Sequence, residues 1–155
     1  MTDYKSPKPK ILVSACLMGK PVRYDGNYAH KELDLLTKLQ KDGRIVLLCP
    51  ETAAGLPIPR PAAEIKKGQV VTSGGQDMTG IFITGAQKAL QLCQTQGIKL
   101  AILKENSPSC GSKFIYDGSF SGTKIEGSGK VTDLLRAHGI RVFSEEDIAE
   151  ALKFL

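Results

Sequence analysis

The sequence has no tryptophan, only two histidines, and no apolar run near the ~20 residues that a membrane-spanning helix requires. The missing run excludes the integral membrane proteins. Residues 1–9 are polar and basic, and no apolar segment of signal-peptide length precedes Ile11, so we expect a flexible lead-in there and a cytoplasmic protein. No internal repeat interrupts the rest of the chain. We therefore predict one domain over residues 10–155.

The basic charges are not clustered. The formal net charge is +5, but no run of Lys or Arg is longer than two, and aromatic residues make up only 6% of the chain. Nucleic-acid binding relies on clustered cations that neutralise phosphates, so a nucleic-acid partner is possible but not favoured. A small anionic or base-like substrate is also compatible with this surface.

Continuous apolar runs alternate with amphipathic segments. The runs lack a polar face, which is typical of parallel strands that are covered by helices on both sides. We predict an α/β fold, a three-layer αβα sandwich with a mainly parallel, Rossmann-like sheet. The predicted strands are residues 10–16, 44–49, 98–104 and 139–144, and the predicted helices are residues 28–42, 79–96, 132–138 and 144–155. Residues 50–78 read as irregular, and residues 111–130 as a short hairpin with a flexible loop.

Three of the four cysteines lie at the carboxyl ends of predicted strands. Cys16, Cys49 and Cys110 follow the first three strands, and parallel strands all end at the same sheet edge, where ligands bind. Three converging thiolates repel one another, so a cation or a metal cluster is expected between them. Cys93 instead lies on the apolar face of the helix at residues 79–96, which indicates a structural role.

The residues alone leave the metal open. A structural zinc site has four ligands, often in C-x2-C pairs, and the chain has no such pair. His30 and His138 are candidate fourth ligands, although both lie on predicted helices. A four-iron cluster bound by three thiolates leaves one iron open to a substrate. A further alternative is a Cys110 nucleophile with a nearby histidine.

Polar residues beside the cysteines are candidates for acid–base catalysis and substrate binding. Glu51 lies two residues after Cys49, and burial near a cluster raises a carboxyl pKa toward the range that is useful for proton transfer. Ser107 and Ser14 can each hydrogen-bond a substrate, or simply support a turn or strand end.

The stretch "KPVRYDG" follows the first cysteine motif and holds three more candidates. Arg23, Tyr24 and Asp25 could bind a planar polar substrate, or could brace the loop through an ion pair. The sequence does not separate these two interpretations.

Four motifs carry a family resemblance. The stretches "SACLMGKPVRYDG", "LCPETAAGLPIPRPAAEI", "LKENSPSCGSKFIYDGSFSG" and "GSGKVTDLLRAHGIRVFSEED" resemble a bacterial family that includes the thiouracil desulfidases. The resemblance extends from about residue 10 to residue 147, and three cysteine motifs in this order are highly specific.

The resemblance implies a site and a reaction. Cys16, Cys49 and Cys110 would hold a [4Fe-4S] cluster whose open iron binds the thiocarbonyl sulfur of a thiolated pyrimidine base or nucleoside. Thiouracil would give uracil and hydrosulfide without redox turnover. Glu51 would serve in proton transfer, and Ser107 in proton transfer and substrate placement. The sequence gives no acceptor for the sulfide.

Two other functions are consistent with the sequence. The positive net charge is consistent with an enzyme that acts on thionucleosides within tRNA. The cysteines alone also fit a module that binds a metal or cluster without catalysis.

Overall fold

The computed structural model describes residues 9–18, 34–58 and 60–155, and its elements are numbered within that part of the chain. The strands are β1 (Ile11–Ser14), β2 (Ile45–Leu48), β3 (Ala63–Lys66), β4 (Gln69–Thr72), β5 (Leu100–Leu103), β6 (Phe114–Tyr116), β7 (Lys124–Glu126) and β8 (Arg141–Ser144). The helices are α1 (Asp34–Lys41), α2 (Pro50–Ala53), α3 (Thr79–Gln96), α4 (Lys130–Ala137) and α5 (Ile148–Leu152).

Four strands form a central parallel sheet in the order β2-β1-β5-β8. These are the four runs that the sequence predicts as strands. From β1 the chain passes first to β2 on one side and later to β5 on the other, so the strand order reverses between β1 and β5. In open α/β sheets, ligands bind beyond the carboxyl ends of the strands at this point of reversal.

Helices cover both faces of the sheet, which confirms the three-layer αβα prediction. On one face, α3 and α4 pack against alternate strand residues, and on the other, α1 and α5 pack against the remaining ones. In β1, for example, Leu12 points to the first layer, whereas Ile11 and Val13 point to the second. All three side chains are at most 1% exposed. Because both faces are buried, the strands have no polar side to alternate with.

The long helix α3 has the bounds that its apolar spacing predicts. The Asp77 carboxylate accepts a hydrogen bond from the Thr79 N–H at its start, and Gly97, with a φ of 69°, ends it in the left-handed conformation. The helix expected at residues 28–42 is seen as α1, and residues 28–33 lie outside the described part. At the C-terminus, Ser144 caps a 3-10 turn (Glu145–Asp147) that precedes α5.

The prediction that residues 50–78 are irregular is wrong. They contain α2 and an antiparallel hairpin of β3 and β4, whose turn residues Lys67 and Gly68 have φ values of 51° and 80°. The hairpin packs on Phe82 of α3. The hairpin predicted within residues 111–130 is confirmed as β6 and β7, joined by residues 117–123.

Among the described residues, no helix is both long and apolar enough to cross a membrane.

Candidate active site

A cavity of about 330 Å³ lies beyond the carboxyl ends of β1, β2 and β5. It occupies the position at which the strand order reverses, and its volume lies within the range of ~300–1,000 Å³ that is typical of small-molecule sites. The three cysteines predicted to converge all line this one cavity. Its wall also includes Ser14, Glu51, Glu64, Lys104, Glu105, Asn106, Ser107 and Tyr116.

Cys16 and Cys49 are presented by the turns that directly follow β1 and β2. Cys16 lies in a 3-10 turn (Ala15–Met18) and is buried, whereas Cys49 is half-buried at the start of α2. The Cys49 Sγ accepts a hydrogen bond from Thr52 Oγ1 at 3.3 Å, and Arg60 Nη2 lies 4.0 Å from the same sulfur. Such donors stabilise a thiolate and tune a metal that it binds.

Cys110 lies in a loop whose backbone is held by Ser107. The Ser107 Oγ accepts hydrogen bonds from the backbone N–H groups of Ser109 and Cys110 at 2.9 and 3.0 Å, and its carbonyl accepts one from Gly111. The unusual serine-rich setting of this cysteine therefore has a local explanation, because the serine hydroxyl replaces a helical hydrogen-bond partner.

The Cys110 loop is also fixed to the first turn of α4. The N–H groups of Gly129, Lys130 and Val131 donate to carbonyls within residues 108–111. A side chain at position 129 would collide with this loop, since a Cβ there would lie 2.3 Å from the Ser109 carbonyl carbon. Glycine at this helix start therefore permits the close approach that places Cys110 in the cavity wall.

The buried carboxylate of Glu105 holds the Cys110 loop through hydrogen bonds. This carboxylate is 4% exposed, and it accepts hydrogen bonds from the N–H groups of Ser112, Lys113 and Asn106 and from the Ser112 hydroxyl. Burial alone would raise the pKa of Glu105, but the bonds from Ser112, Lys113 and Asn106 outweigh it and lower the pKa below its ordinary value of 4.5. Glu105 is thus held ionised as a support for the loop.

The environment of Cys110 fits a cationic metal group. Burial raises the pKa of the Cys110 thiol well above its ordinary value, and the nearby charge of Glu51 and the thiols of Cys49 and Cys16 raise it further. A hydrogen bond from Ser14 offsets only part of this effect. Three ionised thiolates beside a carboxylate would require compensating positive charge, which an iron–sulfur cluster would supply.

The described donors do not form a site for a single metal ion. Within residues 9–18, 34–58 and 60–155, no three His, Cys, Asp or Glu side chains lie close enough to bind a single metal ion together. One zinc ion would require sulfur atoms within about 4 Å of one another. Thiolates of a cluster bind separate iron atoms and do not need this proximity.

Glu51 forms a buried ion pair in the cavity wall. Its Oε2 lies 3.0 Å from Nη2 of Arg60, whose side chain is only 3% exposed and also donates to the Pro57 carbonyl. Burial raises the pKa of Glu51, and the Arg60 charge and hydrogen bond partly oppose this rise. The net effect places the pKa of Glu51 above its ordinary value of 4.5.

The other predicted residues have different positions. Ser14 lines the cavity and accepts a hydrogen bond from the Lys104 N–H at 3.0 Å, which ties β1 to β5. His138 ends α4 on the surface and contacts the Leu134 carbonyl. Cys93 is fully buried on α3, where burial raises its pKa to about 11. Arg23, Tyr24, Asp25 and His30 lie outside the described residues.

Sequence reasoning missed several polar residues of the cavity and its surroundings. Arg60 lies in the segment predicted to be irregular, Tyr116 lies in the predicted hairpin, and Glu105 and Asn106 precede the serine of the Cys110 loop. The stretch "ENSPSC" offered one signal, since a carboxylate at the end of a buried strand needs partners for its charge. No local pattern brings Arg60 to Glu51, because only the path of the chain after α2 does so.

Comparison with known proteins agrees with this geometry. The model of the 2-thiouracil desulfurase family matches residues 11–147. The Bacillus subtilis (strain 168) protein YbbK is 43% identical over 152 residues, which cover 92% of this chain and 99% of YbbK. The solved structure of a [4Fe-4S]-dependent thiouracil desulfidase, TudS, is similar with a TM-score of 0.92 and 52% identity, covering 96% of this chain and 100% of TudS. The resemblance carried by the sequence motifs is confirmed: the chain belongs to the 2-thiouracil desulfurase family.

Proposed function

We propose that this protein is a [4Fe-4S]-dependent desulfidase that converts a thiolated pyrimidine, such as thiouracil, into the oxo base and hydrosulfide. One observation carries the proposal: Cys16, Cys49, Cys110, Glu51 and Ser107 all line a single cavity at the point of strand reversal. The similarity to TudS supports the same chemistry. We assign the site to one domain over residues 10–155, acting in the cytoplasm, where thiols stay reduced.

The three cysteines would hold the cluster and leave one iron for the substrate. When bound, the cluster supplies a soft Lewis acid that polarises the thiocarbonyl bond. The cavity wall also includes Tyr116, whose ring could stack on a planar pyrimidine, and Asn106, whose amide can both donate to and accept from the base edge. Arg23, Tyr24 and Asp25 remain predicted substrate contacts.

Glu51 would take a proton from the attacking water. In the balanced reaction, water oxygen forms the new carbon–oxygen bond, the carbon–sulfur bond breaks, and sulfur leaves as hydrosulfide with one proton, while the second proton passes to Glu51 and then to solvent. No oxidant or reductant is consumed. The raised pKa of Glu51 suits this exchange.

Ser107 would position the substrate rather than act as a base. Its oxygen already accepts two backbone hydrogen bonds, and a hydroxyl in that situation keeps its own O–H as a donor. That O–H is suited to a hydrogen bond with the base.

Anaerobic reconstitution tests the proposal. Purified protein is loaded with iron and sulfide, analysed for iron, labile sulfide and zinc, and incubated with 2-thiouracil, 4-thiouracil, a thiolated nucleoside and thiolated tRNA. We expect iron with labile sulfide, and release of uracil and hydrosulfide from the free bases. Zinc without labile sulfide would refute the cluster, and turnover of tRNA alone would refute the small substrate.

A further inference from the structure

A second cavity of about 150 Å³ is lined by both members of the Glu51–Arg60 ion pair and by none of the cysteines. Glu51 and Ala63 line both cavities, so the carboxylate stands in the wall between them. The ion pair thus divides a large space that holds the cysteines from a small space that holds none of them.

The small cavity has mostly apolar walls, but four polar side chains in its lining can hold water. At ~30 Å³ of liquid volume per molecule it has room for several waters, and a buried water needs two to four polar partners. Those partners are the buried Arg60 and Glu51 with the hydroxyl of Thr72 and the amide of Gln76, amid walls of Leu56 and Phe82. Gln76 is exposed, so the cavity meets solvent there.

The large cavity has to hold both the cluster and the base. Its volume of about 330 Å³ is shared between them, and the base has to face the cysteines for its sulfur to reach the iron. A cluster and a base bound there would displace water from the cysteine side of Glu51. The small cavity could then supply water to the same carboxylate from its other neighbour space.

We infer that the small cavity is a water compartment that stores and delivers the hydrolytic water to Glu51. This inference rests on the proposed function, and it adds a binding site next to the ion pair. Arg60 holds the carboxylate in place through Oε2, so water from the compartment meets an acceptor of fixed position. The compartment is too small and too narrowly lined for a second pyrimidine, and water is its ligand.

The test narrows the compartment without touching the cysteine cavity. Leu56 lines only the small cavity, so Leu56→Phe fills it and Leu56→Ala enlarges it. Leu152→Phe, at a half-buried leucine of α5 remote from both cavities, is the matched control. Each variant is loaded with cluster, checked for iron content and melting temperature, and followed in a single turnover of thiouracil.

We expect Leu56→Phe to slow the single turnover by at least about tenfold, because a misplaced nucleophile reacts slowly. Iron content and uracil affinity should be unchanged. Leu152→Phe should keep the wild-type rate, and Leu56→Ala, which leaves room for water, should lose far less activity than Leu56→Phe. If Leu56→Phe does not fold, Thr72→Val replaces it, since this change removes a water partner at constant volume and should also slow the turnover.

A crystal structure of the loaded wild type gives a readout independent of activity. We expect ordered waters between Gln76, Thr72 and Glu51, and their loss in Leu56→Phe. The absence of ordered water from the small cavity of the wild type would overturn the inference. So would an unchanged turnover rate in Leu56→Phe when the phenylalanine side chain fills that cavity. A wild type that never desulfurates thiouracil would instead refute the proposed function, and the crystallographic waters would still decide whether the compartment exists.

Discussion

The Cys110 loop and the helix α3 each bury a cysteine, but they surround it differently. Cys93 lies among alanine and aliphatic side chains, and burial is the cause of its raised pKa. Cys110 is buried to a similar degree, yet Ser14, Glu51, Cys16 and Cys49 also act on its thiol. Burial therefore does not distinguish a structural cysteine from a ligand, whereas charged and polar neighbours do.

Replacing Cys110 or Cys93 by alanine should give the largest difference between the two regions. We expect Cys110→Ala to abolish cluster binding and turnover while leaving the fold intact. Cys93→Ala should keep full iron content and turnover but lower the free energy of unfolding by about 1 kcal/mol, because it removes packing alone. Iron analysis, absorbance and chemical denaturation measure both effects. A Cys110→Ala protein that retains the full cluster would contradict the assignment.

Glutamine at Glu51 tests the charge that distinguishes the Cys110 region. We expect Glu51→Gln to lower kcat by about 100- to 10,000-fold, the usual contribution of general acid–base catalysis. Because the folded pKa of Glu51 is raised, wild-type activity should fall on acidification at a pH above the ordinary value of 4.5, as the base form is lost. The variant should lack this acid limb in its pH–rate profile.

Glu64→Gln is the matched control for Glu51. Glu64 lines the same cavity, but its carboxylate is occupied by the N–H groups of Gly118 and Phe120. It should therefore affect kcat far less than Glu51→Gln does. Equal losses in the two variants would remove the special role of Glu51.

A smaller effect is expected at Glu105, whose carboxylate accepts hydrogen bonds within the Cys110 loop. We expect Glu105→Gln to cost about 1–3 kcal/mol of stability at neutral pH, since a charged acceptor of several hydrogen bonds is lost. The folded pKa of Glu105 is lowered, so its contribution is complete above 4.5 and disappears as the pH falls through the folded value. The stability difference between wild type and variant should shrink correspondingly in acid.

Hydrogen exchange would show which part of the protein Glu105→Gln destabilises. Amides of residues 107–113 should exchange faster in Glu105→Gln, while those of α3 should not change. Uniform acceleration across both regions would mean that Glu105 stabilises the whole fold rather than the loop.

The sheet and the convergence of the cysteines follow from the sequence because both depend on local signals. Continuous apolar runs mark buried parallel strands, and a cysteine directly after each of three runs has to lie at the same edge. The family motifs supplied the substrate class, which no spacing contains.

Other features were not predictable because they arise from tertiary contacts. The β3–β4 hairpin turns at Lys67–Gly68 and lacks the Asn-Gly or Asp-Gly signal that marks most such turns. Arg60 reaches Glu51 across nine positions of chain that no periodicity links. Tyr116 enters the cavity wall because β6 follows the Cys110 loop, a position that its own neighbours do not indicate.

The close approach at Gly129 has a consequence for how a cluster would be assembled. Since the backbone of α4 and the carbonyls of residues 108–111 hold the Cys110 loop in place, the position of this thiol does not depend on a bound metal. If Cys110 binds the cluster as proposed, loss of the cluster to oxygen should leave this ligand in position for reconstitution.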